Sequence, residues 1–311
     1  MNTSRRDFLS KAAALSSIAI TPLENMFAAA PNIAIPKDFN LIFLATNWGF
    51  AGSIDSFCSQ VKQDGYVGIE VWWPQNDNEK KELFTALKKH NLSVGFLVGG
   101  SDKNPTLHYE QFKKSLEGAA YQQIQQPLYI NCHSGRDYFS MEENKPLIDL
   151  TTAISEKTGI LICHETHRSR MLYAAHVTRK YIENFSKLRL TLDISHWCNV
   201  HESLLQDQEE TVQLALTRTR HIHCRIGHQQ GAQVNDPRAP EWEQAVSKHL
   251  EWWDKVITNC VAAEINQMTI LTEFGPPNYT PTLPYTHQPI ANQWDINLHM
   301  KNMLKKRYAK Q

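Results

Sequence analysis

The chain has 311 residues, 41% of them apolar and 21% charged, which is the composition of an ordinary globular protein with material for a large core. Lysine plus arginine and aspartate plus glutamate each total 32, so there is no basic excess of the kind that neutralises phosphates along a nucleic acid. Composition therefore argues against a nucleic-acid partner.

At the N-terminus, "SRRDFLSKAAALSSIAITPL" sets Arg5 and Arg6 ahead of Phe8, Leu9 and a modest apolar stretch. It resembles a twin-arginine export signal, which implies recognition by the twin-arginine export machinery and delivery to the periplasm. A protein exported already folded keeps any cofactor it acquired in the cytoplasm. Ser16, Ser17 and Pro22 interrupt the stretch, which is too short for a stable membrane span. The expected organisation is a signal over 1–30, cleaved near Ala28 to Ala30, a linker over 31–39 and one domain over 40–311.

From residue 40 onward, short apolar runs alternate with longer amphipathic stretches. Strands are expected at 40–46, 67–73, 92–98, 127–133, 159–165, 188–194, 221–226 and 268–274. Between them, segments such as "NEKKELFTALKKHN" and "LHYEQFKKSLEGAAYQQ" carry apolar residues at helical spacing. Crossover helices make neighbouring strands parallel, and eight such units over about 270 residues predict a (β/α)8 TIM barrel. The competing open doubly wound sheet lacks support, since no strand runs into a G-x-G-x-x-G turn or a Walker loop. The six cysteines stand singly with no C-x-x-C; Cys132, Cys163 and Cys224 fall in predicted strands and read as small buried hydrophobes.

Polar residues recur where those strands end. Glu165 in "ILICHETHRSR" directly follows an apolar run, where burying an unpaired carboxylate costs several kcal/mol or forces it to take up a proton. Glu70, His133, Asp193, His223 and Glu273 occupy equivalent places, and in a barrel those ends converge on the face where active sites form. Glu165, Asp193, His223 and Glu273 come from four successive strands. Three carboxylates gathered there repel one another unless a divalent cation neutralises them, and three carboxylates with one imidazole suit Mn²⁺, Mg²⁺, Co²⁺ or Zn²⁺. His221 competes with His223 for the imidazole position, because period two puts both on one side of the strand; His223 is nearer its C-terminal end.

Around "ETH" at 165–167, "DISH" at 193–196, "HIHCR" at 221–225 and "TEFG" at 272–275, the chain resembles the xylose isomerase-like TIM-barrel family of sugar and sugar-phosphate isomerases and epimerases. The resemblance implies one divalent metal held by Glu165, Asp193, His223 and Glu273, and substrate contact by His196. It also implies that Glu165 and Glu273 act as the catalytic pair in proton transfer beside a sugar carbonyl, through an enediolate. His133, Glu70 and Trp48 join the expected substrate-binding residues. Family epimerases place a substrate-binding arginine after the metal histidine, a position for which Arg225 and Arg238 both compete. The stretch "CRIGHQQGAQVNDPRAPEW" lacks regular periodicity and reads as a loop over the site, with a lid as one role. Export favours an unphosphorylated sugar or an oxidised glycoside over a sugar phosphate. Two alternatives stay open: a metal-dependent lyase or hydrolase of keto-glycosides, and a non-catalytic carbohydrate-binding barrel. Oligomeric state is left open as well.

Overall fold

The computed structural model describes residues 35–309. The expected export signal, and residues 31–34 of the linker after it, lie outside the described residues. Eight parallel strands close into a barrel in chain order: β1 Asn40–Thr46, β2 Gly68–Trp72, β3 Ser93–Gly99, β4 Ile130–His133, β5 Ile162–Glu165, β6 Leu190–Leu192, β7 Thr219–His223 and β8 Gln267–Thr272. Closure is made by six residue pairs between β1 and β8, from Asn40 opposite Gln267 to Ala45 opposite Thr272. The expected (β/α)8 class is the class observed.

The outer layer is formed by α1 Ile54–Gln63, α2 Asp77–His90, α3 Pro105–Tyr121, α4 Met141–Thr158, α5 Ala175–Asn184, the short α6 Ser195–Val200, α7 Glu209–Arg218, α8 Glu243–Ala262 and α9 Gln293–Arg307. Local chemistry sets several boundaries. Ser53, Asn76 and Asn104 each turn a side-chain oxygen back onto the first free N–H groups of α1, α2 and α3, and Ser140 with Glu143 forms a capping box at α4. Asn91 and Gly159 end α2 and α4 in the left-handed conformation. Apolar strand faces pack outward against these helices as the main core, whereas the barrel interior holds a small apolar cluster of Ile42, Leu44, Tyr129 and Leu271. Gly95 makes room for that interior, since a Cβ there would lie 2.5 Å from the Tyr129 ring. All six cysteines are buried and free.

Six of the eight strands are shorter than expected, all but β1 and β3. Strand β6 spans three residues, and β7 ends at His223, three residues before its expected end. Asp193, Glu273 and Arg225 therefore stand on the backbone just past their strands, which turns at once to start the next segment. No described helix is long and apolar enough to cross a membrane.

Strand alternation settles the two histidines flanking Glu165. His164 points outward, its Nδ1 2.7 Å from Ser134 Oγ and its Nε2 2.8 Å from Thr151 Oγ1 on α4, so Glu165 points into the barrel. Burial pushes His164 down to about 3 and His249, inside α8, down to about 4, from an ordinary value of 6.5. Below pH 6.5 the unfolded chain takes up protons at these positions that the folded chain refuses, so stability falls as pH falls, by about 1.4 kcal/mol per unit per histidine. Between pH 6.5 and 5 each contributes a loss of roughly 2 kcal/mol. Chemical denaturation at the two pH values is expected to show that loss shrinking by one histidine's share in His249→Gln; an identical pH dependence in wild type and variant would disprove the assignment.

Candidate active site

The site is built in layers along the barrel axis. At the floor, Tyr129 stacks on His221 with ring centroids 3.9 Å apart and donates from its hydroxyl to Glu70 Oε2 at 2.8 Å. His221 Nδ1 lies 2.8 Å from Thr269 Oγ1, which turns its Nε2 to Glu70 at 3.3 Å. Burial by itself would raise the Glu70 carboxyl, but His223 and His221 beside it hold it well below the usual carboxylate range.

Above this floor, His223 faces two ways. Its Nε2 lies 3.5 Å from Glu70 Oε1, and its Nδ1 lies 3.0 Å from Glu273 Oε2 and 3.8 Å from Glu165 Oε2. Glu165 Oε2 accepts from Asn131 Nδ2 at 2.8 Å and from His133 Nε2 at 2.9 Å. Burial would lift the Glu165 carboxyl too, but His133 and His223 keep it ionised, well below its ordinary value. Asp193 is placed from both sides: its N–H donates to Thr166 Oγ1 at 2.9 Å, and its Oδ1 accepts from Ser195 N at 3.2 Å and from the Ser195 hydroxyl as α6 begins. Its other oxygen is held by Arg225 Nη2. Burial, with repulsion from Glu273 and Glu165 that Arg225 only partly offsets, raises Asp193 to about 6.

Arg225 is 2% exposed. Besides Asp193, its Nη2 reaches His196 Nε2 at 2.9 Å and Glu273 Oε2 at 3.5 Å, and its Nε reaches Ser195 Oγ at 3.3 Å. The Tyr279 ring covers it at 4.7 Å. Burial drives His196 and His167 well below 6.5, so both are neutral imidazoles, with ring centroids 4.0 Å apart.

Over these groups opens a cavity of about 470 Å³. Glu70, His133, Glu165, Arg225, Glu273 and Trp48 line it, as expected of site residues, whereas Asp193 and His223 lie beneath its wall. Trp48 reaches the mouth because Gly275 has no side chain: a Cβ there would lie 2.3 Å from the indole. Two of the expected substrate contacts do not line this cavity. His196, fully buried, stands behind Arg225 and His167 and does not line the cavity, because α6 turns it inward one turn after Asp193. Arg238 is also absent from the wall; it pairs with Asp236 two residues earlier, Nη2 to Oδ2 at 2.6 Å. Arg225 is thus the arginine at the site. The loop from Cys224 to Ala239 is docked rather than loose: Val234 is fully buried, and Gln233 binds Gly275 N at 2.7 Å.

The donor set fits a divalent cation. Glu165, Asp193 and His223 each offer a ligand atom within 4.8 Å of the others, all buried. Glu273 is not part of that trio, although its oxygen touches His223 Nδ1, so the expected fourth ligand stands at its edge. Asp193, Glu273 and Glu165 gather around the Arg225 guanidinium, while Glu70 faces His221 and His223. The deficit of positive charge shows in Asp193, pushed up, and in His223, whose imidazole, despite burial, is driven well above 6.5 by Glu273, Glu70 and Glu165. A doubly charged ion bound to these atoms would supply the missing charge and release that proton.

Four residues here were not among the expected site residues. Asn131 stands two residues before His133, so strand alternation carried a signal for it; Tyr129, two residues earlier again, shares that parity. His167 lines the cavity although the sequence marked it only as a neighbour of Glu165. Tyr279, on an irregular loop after β8, had no periodic signal at all.

No family model matches the sequence, and no curated protein matches it. Solved structures are similar in fold. The 3-keto-D-glucoside 4-epimerase YcjR from E. coli superposes with a TM-score of 0.53 at 13% identity, over 86% of this chain and 100% of its own. A D-tagatose 3-epimerase-like protein gives 0.54 at 15%, over 86% and 99%. A family 2 AP endonuclease from Brucella melitensis gives 0.51 at 12%, over 77% and 95%. Proteins of such different activities share one architecture, and at these identities the likeness establishes that the chain is a (β/α)8 barrel of the same build.

Proposed function

We propose that the protein is a divalent-metal-dependent sugar isomerase or epimerase acting on an unphosphorylated keto sugar or keto-glycoside. The observation that carries this reading is the gathering of Glu165, Asp193, His223 and Glu273 under a cavity whose mouth bears Trp48, Trp72 and Tyr279. Partly exposed indoles offer flat apolar surface to the C–H face of a sugar ring, while His133, His167 and Arg225 offer polar contacts to its oxygens. The likeness of the fold to those of a 3-keto-D-glucoside 4-epimerase and a D-tagatose 3-epimerase-like protein is in keeping with it.

When bound at Glu165, Asp193 and His223, with Glu273 beside them, a divalent ion supplies the Lewis acidity that acidifies a C–H next to a carbonyl. The chain's own groups do the rest. Glu165 is ionised, and Asn131 and His133 clamp one of its oxygens, so its orientation is set before substrate arrives. It removes the proton. Glu273, the other carboxylate of the set on the cavity wall, returns one. Delivery to the opposite face of the same carbon gives an epimer, and delivery to the neighbouring carbon interconverts aldose and ketose.

Incubation in D2O with a panel of ketoses and 3-keto sugars tests this. Deuterium is expected at the carbon beside the carbonyl in protein loaded with Mn²⁺, lost after chelation and regained on adding the metal back. No incorporation from any member of the panel into metal-loaded protein would sink the reading, and release of an aglycone in its place would move it to elimination. The proposal extends to compartment: Arg5 and Arg6 support export through the twin-arginine route, and an Arg5→Lys, Arg6→Lys chain is expected to stay in the cytoplasm. Periplasmic recovery equal to wild type would refute that.

A further inference from the structure

The active-site cavity opens sideways. A second cavity of about 400 Å³ lies against it, and Asn47, Val71 and Trp72 line both. Trp72, the last residue of β2, forms the partition; it is 52% exposed, its ring edge-on to that of His133 with centroids 5.3 Å apart. The next residue, Trp73, takes the packing role, 7% exposed and edge-on to Phe96 at 5.0 Å. The core is thus served by one of two adjacent indoles, and the other is left at the junction of two chambers. On the far side of Trp72, Ile54 and Leu83 contribute apolar surface, and Gln75, Glu79 and Glu82 contribute hydrogen-bonding oxygens.

We propose that the second cavity is a subsite for a neutral second sugar ring, the aglycone of a glycoside whose oxidised ring lies over Glu165. The inference rests on the proposed function and narrows its substrate class from keto sugars in general to keto-glycosides of at least two rings. Three observations carry it. The chambers adjoin, with Asn47, Val71 and Trp72 in the wall of each, so the two rings of one glycoside fall on either side of Trp72. Their shared wall is an exposed indole, which suits the apolar face of a pyranose. The far chamber joins an aromatic wall to carboxylate and amide oxygens that accept from hydroxyl groups, and none of the residues lining it is basic. That last feature favours a neutral second ring over one bearing phosphate or carboxylate, although the Lys80 ammonium lies 5.6 Å from the centroid of Trp73 in the chamber wall.

Binding is the direct readout, and it does not depend on turnover. Calorimetric titration of Mn²⁺-loaded protein with 3-keto-glucose and with 3-keto-cellobiose, oxidised on its non-reducing ring, is expected to show the disaccharide at least tenfold tighter. Glu79→Trp fills the far chamber from outside the first one and keeps the backbone N–H that Asn76 caps, so it is expected to abolish the preference and leave 3-keto-glucose affinity unchanged. Glu79→Gln, of nearly equal volume, is expected to keep it. Equal affinities in wild type, no binding of 3-keto-cellobiose, or a preference that survives Glu79→Trp would each overturn the subsite. If the preference follows expectation while neither sugar exchanges deuterium, the subsite stands and the isomerase reading falls.

Discussion

Glu165→Gln is expected to cut deuterium incorporation by about a thousandfold, the scale of removing a positioned general base, and to lower the thermal stability of the metal-free protein. The two halves of that expectation have separate causes. The substitution keeps the shape of the side chain and an oxygen for Asn131 and His133, yet removes the charge that binds a cation and accepts a proton. His133 and His223 hold the ionised Glu165 carboxyl well below its ordinary value, so the charge is stabilising in the fold, and its loss outweighs the relief given to the raised Asp193. Bound metal, measured by elemental analysis, is expected to fall along with the rate. A sugar-binding barrel would behave otherwise, holding its ligand as before with no rate to lose. Incorporation within tenfold of wild type would remove Glu165 from the role of base.

Arg225→Met is expected to destabilise the metal-free protein by roughly 3 to 5 kcal/mol, the usual effect of leaving a buried charge without its partner. Asp193, fully buried, would lose its only guanidinium, and Glu273, His196 and Ser195 would lose contacts too. At roughly 2 to 4 °C per kcal/mol, the midpoint of thermal unfolding should drop by about 6 to 20 °C. Adding Mn²⁺ should raise that midpoint more in Arg225→Met than in wild type, since the ion then carries the compensation alone. Arg225→Lys is expected to recover part of the stability by restoring charge, without the planar fork that reaches four partners at once. An unchanged midpoint in Arg225→Met would show that the pair contributes nothing, and an equal Mn²⁺ effect in both proteins would show that arginine and metal do not share the carboxylates.

Much of this architecture could be read locally. Alternating apolar runs and amphipathic stretches specify strand and helix through their periods, two and 3.6, which depend only on neighbouring residues. Strand β1 falls on the expected residues 40–46 for that reason. A charged residue at the end of an apolar run is just as local a signal, which is why Glu165, Asp193, His223 and Glu273 stood out together. Where a local turn intervenes, the signal fails: α6 carries His196 away from the cavity, and Arg238 finds its partner two residues back.

The sequence by itself thus determined the eightfold alternation, the inward parity of each strand and the chemical character of its C-terminal end. Tertiary structure alone decided which of those ends lie level with one another. Asn131 meets His223 across 92 residues of chain, Tyr129 meets Glu70 across 59, and Arg225 finds Asp193 across 32. Those meetings depend on the stagger between strands and on the register in which β8 closes onto β1, quantities that no stretch of neighbouring residues encodes. Tyr279 over Arg225, and the chamber beyond Trp72, follow from loops brought together by that closure, because their positions are set by packing and not by any repeat along the chain.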